Sequence, residues 1–372
     1  MRRFTLERVA GKARVSPATV SRVLNNKGNV SERTRAKVLS VVKSLGKGHP
    51  ANLVGLILPD AANPFFSQLV FEFEQVLEGM GYHVLASSSE GRPDREIRLI
   101  DRFRWLEAGG LIYISSGDQA KETILSLIAD GNLPVVVFDR RITSGNFDSV
   151  TTNSRRGTLC AVDFLIAHKH ERIAYLKGLK GTETARERFE SFRDAMAQNQ
   201  LELDEAFIFE GDYSLQSGRS CAERLLELRQ ALKSDEMPTA VLAANDLMAI
   251  GMMQRLQQEG LQVPRDLSIV GFDDIRWCEW THPRLTTIQQ PVTEMVRKAA
   301  DLIVGRMRGT VQGNGIRPQP IVEEVEATLI SRDSVAEPRV SGSGLRLIST
   351  EDSGAQNNQP SEGLNSKEKS DV

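Results

Sequence analysis

Cysteine is scarce in this chain of 372 residues, and the three present, Cys160, Cys221 and Cys278, stand singly and far apart. Such spacing supplies neither a disulfide framework nor a zinc-ligand set. Histidine is also sparse, and its one close pair, His168 and His170, has the character of a basic helix end. No G-x-x-x-x-G-K-[ST] loop, no G-x-G-x-x-G after a strand and no H-E-x-x-H occurs, so nucleotide-dependent and zinc-protease chemistry lack an anchor. No metal, no cofactor and no enzymatic activity are expected. No apolar run is long enough to span a membrane. The opening Met1-Arg2-Arg3-Phe4 leads into a polar helix rather than an apolar signal core, which argues against secretion. A reduced, cytoplasmic protein is expected.

Charge is unevenly shared. Residues 1–50 hold twelve Lys and Arg against two Glu, a local charge of +10, while the remainder carries −12, so the whole chain nets −2. A concentrated basic field attracts a polyanion even when the overall charge is near zero. Within that segment Leu6, Val9, Ala10 and Ala13 recur at i, i+3, i+4 and i+7, predicting a helix with Thr5 as N-cap. Arg14 and Val15 form a break. Ser16 then suits an N-cap and Pro17 a first helical position, opening a second helix with Val20, Val23 and Leu24 inward. Its outer face carries Pro17, Ala18, Ser21, Arg22 and Asn25. Short polar groups and one Arg suit a major groove, where Arg can grip guanine bidentately. A third helix, from Ser31 to about Leu45, packs Val38, Val42 and Leu45 on the other two.

The run Thr5-Leu6-Glu7-Arg8-Val9-Ala10 with Val15-Ser16-Pro17-Ala18-Thr19-Val20-Ser21-Arg22-Val23-Leu24-Asn25 resembles the lactose-repressor (LacI/GalR) family of bacterial transcription regulators. The resemblance implies base contacts from Pro17, Ala18 and Arg22, and phosphate contacts from Thr5, Thr19, Ser21, Asn25 and Ser31; Ser16 belongs to the same DNA-facing set. It implies a repressor acting on a palindromic double-stranded operator, hence a homodimer, nucleoid-associated when bound. Two departures stand out. Arg14 occupies a turn position usually held by Gly, at a cost on the order of 1 kcal/mol if left-handed. Residues 47–52 form a shortened linker where the family carries a hinge helix that wedges a Leu into the minor groove. A headpiece binding DNA without that wedge, or a cytoplasmic sugar sensor with weakened or lost specific DNA binding, both remain open.

Beyond residue 52 the pattern changes. Apolar runs of strand length at 53–58, 83–86, 111–114, 135–138, 173–176, 206–209, 240–243 and 267–272 alternate with amphipathic helices. That alternation predicts an α/β body of doubly wound parallel sheets, its size calling for two subdomains. The expected organisation is a helix-turn-helix domain at 1–46 and an effector-binding and dimerisation body at 53–333. Within the body, one subdomain takes 53–153 with 283–318, the other 154–282 with 319–333. Residues 334–372, rich in Ser, Gly, Asn, Gln and charge, are expected to be disordered.

In open α/β sheets a ligand sits beyond the carboxyl ends of the strands. Polar and aromatic residues cluster after these runs: Asn63, Phe65 and Phe66; Asp139 and Arg140; Asp212 and Tyr213; Asn245 and Asp246; Asp273 and Asp274; with Arg188 on a helix and Gln290 after the run 285–288. Charged planar groups bind vicinal hydroxyls bidentately and rings stack on sugar C–H faces. Asp246 and Asp274 suit helix caps at least as well. The segment from Gly271-Phe272-Asp273-Asp274 to Pro291 and the run Thr184-Ala185-Arg186-Glu187-Arg188-Phe189 extend the family resemblance to about residue 332. The body is also similar to periplasmic sugar-binding proteins. By that resemblance Asn63, Phe65, Phe66, Asp139, Arg140, Arg188, Tyr213, Asn245, Asp273 and Gln290 form a ribose-type pocket, with Tyr213 where Phe is usual. A ribose-like monosaccharide is the leading effector. A sugar phosphate is the alternative, because Arg140 and Arg188 could serve a phosphate, and a purine stays open. Phe71, Phe73, Val76 and Leu77 are candidates for the dimer face or for the core.

Overall fold

The computed structural model describes residues 6–24, 30–46, 52–119, 121–130, 133–142, 147–309 and 319–339. Three helices open the chain: α1 (Leu6–Ala13), α2 (Pro17–Leu24) and α3 (Glu32–Gly46). Val9, Ala10, Ala13, Val20, Val23 and Val38 form their shared core. Leu6, expected on the inward stripe, is 43% exposed at the first position of α1. Arg14 has φ 50, the left-handed turn that its position called for. Ser16 accepts from the Thr19 amide at 3.2 Å and Ser31 from the Thr34 amide at 3.3 Å, so both hydroxyls satisfy first-turn donors. Thr5, Asn25 and linker residues 47–51 lie outside the described residues, as do the side chains of Leu24, Val42 and Leu45.

The body alternates β1 (Leu53–Leu58), α4 (Pro64–Gly79), β2 (His83–Ser88), α5 (Pro93–Trp105), β3 (Gly110–Tyr113), α6 (Lys121–Asp130), β4 (Val135–Phe138) and β5 (Asp148–Thr152). It continues through α7 (Ser154–Ala167), β6 (Ile173–Leu179), α8 (Glu183–Gln198), β7 (Ile208–Gly211), α9 (Leu215–Ala231), β8 (Ala240–Ala243), α10 (Asp246–Gln258) and β9 (Ser268–Asp273). The chain closes with β10 (Thr286–Gln289), α11 (Val292–Arg308), β11 (Val322–Val325) and β12 (Thr328–Ile330). One sheet runs β11-β5-β4-β3-β1-β2 and the other β12-β10-β9-β8-β6-β7; every pairing is parallel except β10 with β12. Each sheet reverses its order beside its first strand, the crevice where ligands bind such folds.

The crossovers between subdomains differ from expectation. β10 belongs to the second sheet and β11 to the first, so the chain recrosses around Gln290 and Glu326 rather than near 283 and 318. Pro283 lies between β9 and β10, within the second sheet's subdomain. β5 was not legible because its sequence, DSVTT, is polar. It is nevertheless buried, and Arg306 grips Asp148 with two bonds of 2.6 and 2.7 Å. The run at 206–209 opens as a 3-10 turn, and its strand begins at Ile208. The body also extends past 333. Ser334 is fully buried, donates to the Ile269 carbonyl and accepts from the Thr286 amide. Residues 334–339 are thus ordered edge, not tail; residues 340–372 lie outside the described residues.

Helix starts are set by side-chain caps at strand ends. Asn63 caps α4, Asn153 α7, Thr182 α8, Ser214 α9 and Asn245 α10. Helix N-termini therefore gather around the crevice, where they favour polar and anionic groups. Among the described residues no helix is long and apolar enough to cross a membrane.

Candidate functional site

On the headpiece, burial of Val20 and Val23 turns the opposite face of α2 to solvent. Pro17, Ala18 and Arg22 are exposed there, with Thr19 and Ser21 half-buried beside them and Ser16 and Ser31 exposed at the starts of α2 and α3. This face of α2 carries the Arg22 guanidinium with hydroxyls beside it. Such a surface can enter a major groove and leave its flanks on the phosphates.

In the body, the ten residues expected to form the pocket gather where the two sets of strand ends meet. Asp139 and Arg140 follow β4; Tyr213 follows β7, Asn245 β8, and Asp273 ends β9. Gln290 sits on the crossover itself. It accepts from the Thr152 hydroxyl at 2.5 Å and donates to Asp273 Oδ1 at 2.7 Å, tying one subdomain to the other. Arg188, 3% exposed, lies with its guanidinium carbon 3.5 Å from the centroid of the Phe272 ring. It donates to the Ala244 carbonyl at 2.6 Å and to Ser154 at 3.3 Å, and stands 3.6 Å from Asp273. Arg140 donates to the Ser115 carbonyl at 2.8 Å and stands 3.9 Å from Asp139. Its guanidinium lies 5.7 Å from the Phe66 ring centre and 5.6 Å from that of Tyr213, bridging aromatics of the two subdomains. Phe65 and Phe66 meet edge to face.

Burial pushes the carboxyls of Asp139 and Asp273 above the usual range. The guanidiniums of Arg140 and Arg188 oppose this at Asp139, and that of Arg188 at Asp273. Backbone strain collects at the same place: Asp139, Tyr213, Asp273 and Asp274 all have positive φ, at 61, 71, 119 and 58°. Non-glycine residues held there cost stability and cluster at functional sites.

Two expectations about capping are reversed. Asn63 and Asn245 do the capping, and Asn245 also donates to the Tyr213 carbonyl at 3.0 Å. Asp246, fully buried, instead accepts from Thr287 and from the Ile275 amide. Asp274 binds Arg332 at 2.7 Å and Gln289 at 2.8 Å. Both carboxylates brace the floor beneath the site.

Sequence reasoning missed a second layer. Glu96, on α5 and fully buried, accepts from the Ser116 amide at 2.8 Å and the Tyr113 hydroxyl at 3.1 Å, fixing the loop at 115–118. That loop meets the start of α8, and the two enclose a small rim cavity lined by Ser115, Gly117, Arg140, Gly181, Thr182 and Glu183. The polar run Ser115-Ser116-Gly117-Asp118 after an apolar strand was the available signal.

The model of bacterial regulatory proteins of the lacI family matches residues 5–46, and that of the periplasmic binding protein-like domain matches 162–335. Catabolite control protein A of Priestia megaterium is 32% identical over 82% of this chain and 92% of its own length. Among solved structures, the transcriptional regulator CelR in complex with cellobiose aligns with TM-score 0.68 at 27% identity, covering 89% of this chain and all of its own. A LacI family transcriptional regulator from Enterococcus faecium with bound ribose aligns with TM-score 0.66, also at 27% identity, over 77% of this chain and 99% of its own.

Proposed function

Because this chain belongs to the lacI family of bacterial regulatory proteins, we propose that it is a repressor whose grip on a palindromic operator is set by a small sugar bound between its subdomains. It is a DNA-binding transcription regulator and not an enzyme. The observation that carries the DNA reading is the exposed Pro17, Ala18 and Arg22 face of α2, backed by buried Val20 and Val23 within a segment of charge +10. Arg22 reads a base edge. Ser16, Thr19, Ser21 and Ser31, with Thr5 and Asn25, hold phosphates.

The effector reading rests on the carboxylate, guanidinium, amide and ring set at the strand ends. Its two guanidiniums already meet two carboxyl groups and two carbonyls, a set of donors and acceptors that suits the hydroxyls of a ribose-like monosaccharide. The ribose-bound and cellobiose-bound relatives support a sugar in this place.

A palindromic operator requires two headpieces. Phe71 on α4, 59% exposed, supports a homodimer through that helix. Its neighbours Phe73 and Leu77 are fully buried against their own sheet and take no part. The reading places the protein in the cytoplasm, on the nucleoid when bound.

Only six residues separate Gly46, the end of α3, from Leu53, the start of β1. Fully extended they reach roughly 20 Å. This short tether favours recognition by the headpiece alone, with little bending of the operator. It also keeps a second reading in view, a sugar sensor without specific DNA binding.

Selection of bound fragments from a random DNA pool at physiological salt, with wild type and Arg22→Ala, tests the proposal. The expected result is a palindromic site lost in the variant. Weak, salt-sensitive and sequence-indifferent binding would favour the sensor.

A further inference from the structure

Tyr213 carries a cost that stacking alone does not explain. Its backbone is left-handed, with φ 71, and its carbonyl is pinned by Asn245. The ring lies so close to β6 at Gly178 that a Cβ there would collide with the ring edge and the hydroxyl oxygen. Burial keeps the phenol protonated, its pKa pushed up, and Thr182 stands beside the hydroxyl, yet no group meets it at hydrogen-bonding distance and angle. The groups around it are engaged elsewhere. Thr182 Oγ1 donates to the Leu179 carbonyl and accepts from the Ala185 amide. Arg140 Nη1 donates to Ser115, and Asp273 Oδ1 accepts from Gln290.

A bare ring would stack on a sugar face equally well, and a buried donor without an acceptor weakens the fold. The hydroxyl therefore has a use only when something else occupies the cleft. Resting on the sugar-effector reading above, we propose that Tyr213 is a specificity-determining residue. Its hydroxyl donates to one oxygen of the effector and thereby discriminates a polyhydroxylated sugar from its deoxy analogue. A site built around such a donor rejects a ligand that lacks the acceptor, because the donor stays unpaired.

The test uses the full chain, wild type and Tyr213→Phe, with calorimetric titration of D-ribose and its 2-, 3- and 5-deoxy analogues, and thermal melts without ligand. Wild type should bind D-ribose and lose about 5- to 150-fold toward one deoxy analogue. In Tyr213→Phe, D-ribose should fall to the level of that analogue and the gap should close. Without ligand the variant should melt higher by about 2–4 °C, because the unpaired hydroxyl is gone. Equal affinities and rank order in both proteins would overturn the proposal, as would a lower melting temperature in the variant. Failure of wild type to bind any of the four sugars would instead sink the ribose reading itself, and the proposal with it.

Discussion

The amide of Asp118 donates to the carbonyl of Gly181 at 2.8 Å, joining the loop after β3 to the loop before α8 and so one subdomain to the other. The approach is backbone to backbone. Gly117 has φ 145, and a Cβ placed on it would stand 3.2 Å from the Gly181 oxygen. Gly117→Val should hold the loops apart, since a β-branched residue resists positive φ and crowds the contact. We expect sugar affinity to fall about tenfold, a loss of about 1.4 kcal/mol, with a larger radius of gyration in solution scattering. Unchanged affinity would mean that the loop contact does not report closure.

Glu96 is the support beneath that loop. Replacing it with Ala leaves the Ser116 amide and the Tyr113 hydroxyl buried without an acceptor, and each such group costs roughly 1–3 kcal/mol. Urea denaturation should show Glu96→Ala destabilised by about 2–5 kcal/mol, with Glu96→Gln much closer to wild type because its amide oxygen still accepts. Equal losses in the two variants would assign the effect to volume rather than to hydrogen bonding.

Much of the body was legible because its central strands are apolar and its helices amphipathic, the pattern that parallel sheets impose. The pocket residues were legible because polar residues following apolar runs fall at strand ends. What escaped was held by tertiary contacts between residues far apart in sequence. β5 is polar yet buried, stabilised by Arg306 on α11 and by the Ile321 amide, both bound to Asp148. Glu96 reads as one more charge on an amphipathic helix, and only the packing of α5 against β3 makes it a buried acceptor. Asp246 and Asp274 both read as helix caps in sequence; at α10 the preceding Asn245 has the capping geometry, a one-residue ambiguity at a helix start, and Asp274 is held by Arg332 and Gln289 instead.

α9 and α10 approach closely because each presents a glycine. A Cβ at Gly218 would collide with the Met248 carbonyl, and one at Gly251 with the Leu215 carbonyl. Backbone cannot yield as a side chain tip can, so Gly218→Ala and Gly251→Ala should each lose about 3 kcal/mol despite alanine's better helix propensity. Thermal melts check this; a gain in stability at either position would show that the helices can part without penalty.

His170 should give stability an acid-sensitive component. Its Nε2 donates to the Ala336 carbonyl and its Nδ1 accepts from Thr239, both at 2.9 Å. Burial lowers its pKa from 6.5 to about 4. Because the folded value lies below the unfolded one, the unfolded chain gains the proton first as pH falls, and stability drops from pH 6.5 down to about 4. His170→Gln cannot titrate. The difference in melting temperature between wild type and this variant should therefore shrink across that window, while the buried carboxylates affect both proteins alike. A constant difference would show that His170 takes up its proton in the folded chain at the same pH as in the unfolded one, its pKa not lowered by burial.

Arg14 closes the turn of the helix-turn-helix with a left-handed backbone, φ 50, and an exposed side chain. A side chain in that conformation costs roughly 1–2 kcal/mol relative to glycine, so stability does not account for an arginine there. Its charge adds to the basic field of the headpiece, and a phosphate contact would account for it. Arg14→Gly should stabilise the headpiece by up to about 1 kcal/mol, after allowing for the greater freedom of glycine in the unfolded chain. It should also weaken DNA binding most at low salt, with the slope of log K against log salt reduced by about 0.9, the value for one lost phosphate contact. Binding titrations across a salt series measure both quantities. A variant that is more stable and keeps the wild-type slope would leave Arg14 as a strained residue without a DNA partner.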